Sequence, residues 1–167
     1  AAAGGYDNDV TGPVVTPGTY RVILDYGGRK TEQQFEIAVD PRVKASAADL
    51  DARLALMMQI HQTLDRLNRT VNQAIEARDR LAGNPGAAST IAALNAAIAP
   101  LVQFGIQSDE GNVLYPIRLR SQLADLAADV DLAYARPTVG QYAVFKQLDA
   151  EANQGEQAIT SIFASIK

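Results

Sequence analysis

Leu50, Leu54, Met57, Ile60, Leu64, Leu67, Val71, Ile75 and Leu81 form one near-heptad apolar line, sustained for about eight to ten helical turns. No other feature of the chain constrains its fold as strongly. A helix with one such stripe is stable only when other helices cover it. Ser46 with Asp49 three residues later gives a capping-box start, and Gly83, Pro85 and Gly86 give the stop. Three further stripes follow. Ile91, Leu94, Ile98 and Leu101 come after Ser89 or Thr90 as cap, with Pro100 expected to kink or end that helix near Ala99. After a loop over 105–115, Pro116 is placed as the first residue of a third helix carrying Leu119, Leu123, Leu126 and Val130. Thr138 and Gln141 form a second capping box, opening a fourth helix with Phe145, Leu148, Ala152, Ile159, Ile162, Phe163 and Ile166 inward. The spacing thus specifies an antiparallel four-helix bundle over 46–167, with helices at about 46–82, 89–104, 116–135 and 138–166.

The bundle is preceded by a different periodicity. Residues 1–13 are Ala/Gly-rich and then polar, the composition of a linker, and Pro13 to Val15 fits one short edge strand. From Tyr20 the chain alternates, Tyr20, Val22 and Leu24 to one side and Arg21, Ile23 and Asp25 to the other. Gly27-Gly28 supplies a tight turn. The return segment sets Phe35, Ile37 and Val39 on one face, and Asp40-Pro41 ends it. The class is therefore α+β, mainly α: a short immunoglobulin-like hairpin over 14–40, an incomplete sandwich, then the bundle. Tyr20, Val22, Leu24, Phe35, Ile37 and Val39 are the candidate interaction residues, the face on which the sheet would be completed. Burying six such side chains is worth roughly 1.5–3 kcal/mol each, so a partner that covers them is expected. A full immunoglobulin-like sandwich needs about seven strands.

Composition narrows the function. The 167 residues carry a net charge of −4. No basic patch interrupts it, which argues against nucleic acid or an anionic membrane as partner. There is no cysteine, so neither a disulfide nor a thiolate metal site exists, and there is one histidine, His61. No apolar run approaches the ~20 residues of a spanning helix. The opening AAAGGYDNDV has no signal-peptide regions and no initiating Met, and is expected to belong to a processed or truncated product.

The remaining motifs favour structural roles. His61 flanks the stripe with no second ligand beside it. Asp7, Asp9, Thr11 and Gly12 echo a calcium loop, but the twelfth position, where a bidentate Glu belongs, is Gly18. Asp125 and Asp129 are an i, i+4 carboxylate pair off the apolar stripe, on a solvated face. Asn68-Arg69-Thr70 is a sequon in mid-helix. No catalytic, metal or cofactor site is expected.

The wording PGTYRVILDYGGRKTEQQFEIAVDPRVKASAADLDARL, with ARPTVGQYAVF from Ala135 to Phe145, resembles the C-terminal region of large bacterial sortilin-like proteins. Those proteins carry BNR or Asp-box β-propellers and are often labelled glycosyl hydrolases. The resemblance implies a non-catalytic C-terminal structural or interaction module of an exported protein, periplasmic, cell-surface or secreted. It also implies a protein partner, either the upstream propeller part of the same precursor or another subunit. No S-x-D-x-G-x-T-W Asp-box is present here, so any hydrolase activity would belong to a propeller outside this sequence. An accessory subunit of a glycoside-hydrolase-like enzyme and a free-standing helical adaptor are the alternatives.

Overall fold

The computed structural model describes residues 12–105 and 114–166. A two-stranded antiparallel sheet, β1 (Gly18–Tyr26) and β2 (Arg29–Ile37), is followed by four α-helices among the described residues. They are α1 (Ala47–Leu81), α2 (Ala88–Ile98), α3 (Leu119–Leu132) and α4 (Val139–Ser165). Asp7, Asp9 and Thr11 of the calcium-loop echo and most of the expected linker lie outside the described residues. Pro13 to Val15 do not form the expected edge strand; Val14 and Val15 line a groove at the base of the hairpin.

The two long helices start where their capping boxes place them. The Ser46 hydroxyl accepts from the Asp49 N–H while the Asp49 carboxylate accepts from the Ser46 N–H, and Thr138 and Gln141 repeat the arrangement. Arg136 Nε adds a bond of 2.8 Å to Asp49 Oδ1. The Ser46 bond first, then Arg136, holds the Asp49 carboxyl below its ordinary value. Leu81 is the last residue of α1, and the C-cap Ala82 leads into the Gly83–Gly86 segment.

The four helices stand in three columns. Arg53 of α1 meets the end of α3 and Asn68 meets its start at Arg120, so α3 runs antiparallel to α1. Thr63 meets Asp149 and Arg66 meets Glu156, so α4 runs parallel to α1. The third column is α2 followed end to end by α3. The Leu119 and Arg120 N–H groups donate to the carbonyls of Pro100 and Leu101, at 3.4 and 3.0 Å. Carbonyls of the turn that follows one helix thus satisfy unpaired N–H groups that start the next.

Three expected boundaries are corrected, two of them at this junction. The second helix stops at Ile98 rather than running to 104, since Pro100 has no N–H to continue it. The third begins at Leu119, not Pro116, because the Pro100 and Leu101 carbonyls just beyond α2 do the capping and Arg118, at the N-cap, makes no side-chain cap bond. Ser89 and Thr90 cap nothing. Asn84 caps a 3₁₀ turn, Pro85–Ala87, which leads directly into α2.

Leu56, Ile60, Leu67, Val71, Leu94, Leu123 and Ile159 are fully buried where the columns meet. Gly155 on α4 provides a close approach, because a Cβ there would collide with the Leu101 side chain.

Candidate functional site

Gly27 and Gly28 adopt φ of 56° and 77°, as a two-residue type I′ turn requires, and so fix the strand register. Tyr20 faces Phe35, Val22 faces Gln33, Leu24 faces Thr31 and Tyr26 faces Arg29. The apolar side is therefore carried mainly by β1. Its β2 half is Phe35 and Ile37 near the base, with Gln33 and Thr31 toward the tip. Tyr20 and Phe35 rings lie 6.1 Å apart between centroids, and their packing leaves Tyr20 half-buried. Val22 is 52% exposed, Leu24 66%, Tyr26 82% and Phe35 46%.

Five of the six candidate residues thus sit on one face of the ladder, and Ile37 is its last residue. Val39 lies beyond β2. It lines the basal groove with Ile37, Val14, Val15, Leu50 and Tyr134, a cavity of about 420 Å³ between hairpin and bundle. Tyr26 belongs to the face and was legible in the sequence as one more step of the same alternation. The opposite face is polar. Arg21 pairs with Glu32 at 3.3 Å and Lys30 with Asp25 at 3.4 Å, around a solitary Ile23.

Below the groove, Arg53 is buried. Its Nη1 donates to the carbonyls of Asp131 and Ala133, at 3.2 and 3.4 Å, and lies 3.5 Å from Asp131 Oδ1. The guanidinium carbon is 4.8 Å from the centre of the Tyr134 ring. A cation thereby closes the C-terminal end of α3, where the helix dipole favours positive charge. The groove floor is committed to structure.

The same holds for the largest polar cluster. Arg66 Nε donates to both Glu156 oxygens at 2.8 Å, and Nη2 donates to Asp149 and Asn153 at 3.0 Å. Thr63 donates to Asp149 at 2.7 Å. Burial works against the Asp149 charge, but the bonds from Thr63, Arg66 and Asn153 outweigh it and hold the carboxyl below its ordinary value. Burial likewise opposes the Arg66 charge, and Glu156 and Asp149 outweigh it in the other direction. These bonds occupy the charged groups of the cluster and lock the register of α1 against α4.

The other motifs separate in the same way. Asp125 and Asp129 are both exposed, and Asp129 accepts a bond of 2.8 Å from Gln141 Nε2. Asn68 accepts from Arg120 Nε, so the sequon asparagine is a helix–helix contact. His61 is half-buried, with Nε2 enclosed and unbonded among the described residues. Among those residues no group of three His, Cys, Asp or Glu could hold a metal ion, and no helix is long and apolar enough to cross a membrane. No family model, curated protein or solved structure matches this chain.

Proposed function

We propose that the chain is a non-catalytic interaction module: a helical base that presents an open β-hairpin, whose sheet is completed by strands from another polypeptide. One observation carries the proposal. Nine-residue strands with Val22, Leu24, Tyr26 and Phe35 exposed on one face form a sheet of two strands only among the described residues. Two strands are marginal in water, and an exposed apolar strand edge is a template for strand addition. The Arg53 and Arg66 clusters, both consumed by helix packing, favour this over an enzymatic reading. In the setting that the resemblance implies, the module ends an exported sortilin-like propeller protein, and the precursor's upstream part is a source of strands.

Hydrogen exchange over residues 18–37 tests the proposal. The hairpin amides are expected to exchange quickly in the dilute isolated chain and slowly in material purified from its native source. Equal, strong protection in the dilute monomer would show that the hairpin needs no partner.

A further inference from the structure

The two edges of the hairpin are chemically unlike. Tyr26 and Arg29 flank the turn and exchange the first pair of ladder bonds. Counting back in twos, Tyr20, Val22 and Leu24 direct their backbone groups to β2. Thr19, Arg21, Ile23 and Asp25 direct theirs outward along the β1 edge.

Building on the interaction-module reading, we infer that the β1 edge pairs antiparallel with the β1 edge of a second copy of this chain, about a two-fold axis at Ile23. In that register Ile23 meets Ile23 of the second copy, Arg21 meets Asp25, Val22 meets Leu24 and Tyr20 meets Tyr26. Opposite charges face one another on the polar side, and apolar groups face one another on the other side. Neighbouring registers lose this. An axis at Arg21 opposes two arginines, and one at Asp25 opposes two aspartates. An axis at Val22 sets Arg21 against Ile23, and one at Leu24 sets Asp25 against Ile23.

The β2 edge has no equivalent. Self-pairing about Gln33 matches Lys30 with Glu36 but sets Glu32 against Gln34 and Arg29 against Ile37. Self-pairing about Thr31 matches Lys30 with Glu32 but sets Arg29 against Gln33 and leaves residues 34–37 beyond the paired stretch. Lys and Glu along a strand are the residues that keep edges apart. Joining through β1 gives a four-stranded sheet, enough for independent stability, with both apolar faces on the same side.

The absence of cysteine makes the test direct. Ile23→Cys in the full chain brings two Cα atoms to about 5.5 Å across a hydrogen-bonded pair. That separation lies within disulfide reach. Mild oxidation is expected to convert most of this variant to a linked dimer, while Gln33→Cys, which reports β2 self-pairing, stays unlinked. The unsubstituted chain is expected to sediment as a dimer, and Arg21→Asp to weaken dimerisation about tenfold or more by opposing like charges. A chain that stays monomeric and forms no disulfide at position 23 overturns the inference, as does linkage through Gln33→Cys alone. If that monomer still gains hairpin protection in natively purified material, the second copy is excluded and the interaction module stands. If it gains none, both fall.

Discussion

Leu64→Ala removes three side-chain carbons from the middle of α1, at a residue only 4% exposed and packed within the main core cluster. At ~0.8 kcal/mol per buried carbon, the transfer loss is about 2.4 kcal/mol. A cavity between three helix columns cannot collapse without shifting α1 against its neighbours, which adds to the loss and gives about 2–5 kcal/mol in total. A domain of this kind is stable by roughly 5–15 kcal/mol, so the change removes a large share of that. Urea unfolding followed by far-ultraviolet circular dichroism measures it. The midpoint is expected to fall with the slope unchanged, because the same surface is exposed on unfolding. Met58→Ala, on the exposed side of the same helix, is the control and is expected within about 0.5 kcal/mol of the parent. A Leu64→Ala effect as small as that would refute the placement of the stripe.

Ser46→Ala breaks the capping box at the start of α1 and is expected to cost about 0.5–2 kcal/mol in the same assay. Gly155→Ala ordinarily gains about 1 kcal/mol in a helix. Here the new Cβ strikes Leu101, and overpacking of about 1–3 kcal/mol cancels or exceeds that gain. A stabilised Gly155→Ala would contradict the close approach of α4 to Leu101. The Asp149 carboxyl is held below its ordinary value in the folded state, so its stabilisation is present above about pH 4 and is lost as pH falls through the lowered value. Asp149→Asn is expected to flatten the acid limb of a stability–pH profile, and an unchanged limb would remove Asp149 from that role.

Elements fixed by local chemistry were legible in the sequence. The capping boxes at Ser46 and Thr138 and the glycine turn at Gly27-Gly28 stand where short-range rules put them. The α2–α3 column was not legible, because its caps are backbone groups contributed by residues far along the chain rather than side chains nearby. The Arg66–Asp149–Glu156 cluster was hidden for the same reason, Arg66 being separated from its two partners by more than eighty residues. On the hairpin, alternation identified the face but not its extent. Register alone reveals that Val22 and Leu24 look across at Gln33 and Thr31, and only the packed structure shows that Val39 has passed into the groove.

Residue-resolved amide exchange along β1 tests the central claim, an open hairpin completed by another polypeptide, most directly. In the dilute isolated chain, Tyr20, Val22 and Leu24 should exchange more slowly than Arg21, Ile23 and Asp25, whose N–H groups point away from β2. In the assembled protein the second set should slow to match the first. If neither the Arg21, Ile23 and Asp25 amides nor those of Lys30, Glu32, Gln34 and Glu36 on the β2 edge slow in the assembled protein, no strand joins the hairpin and the account is wrong.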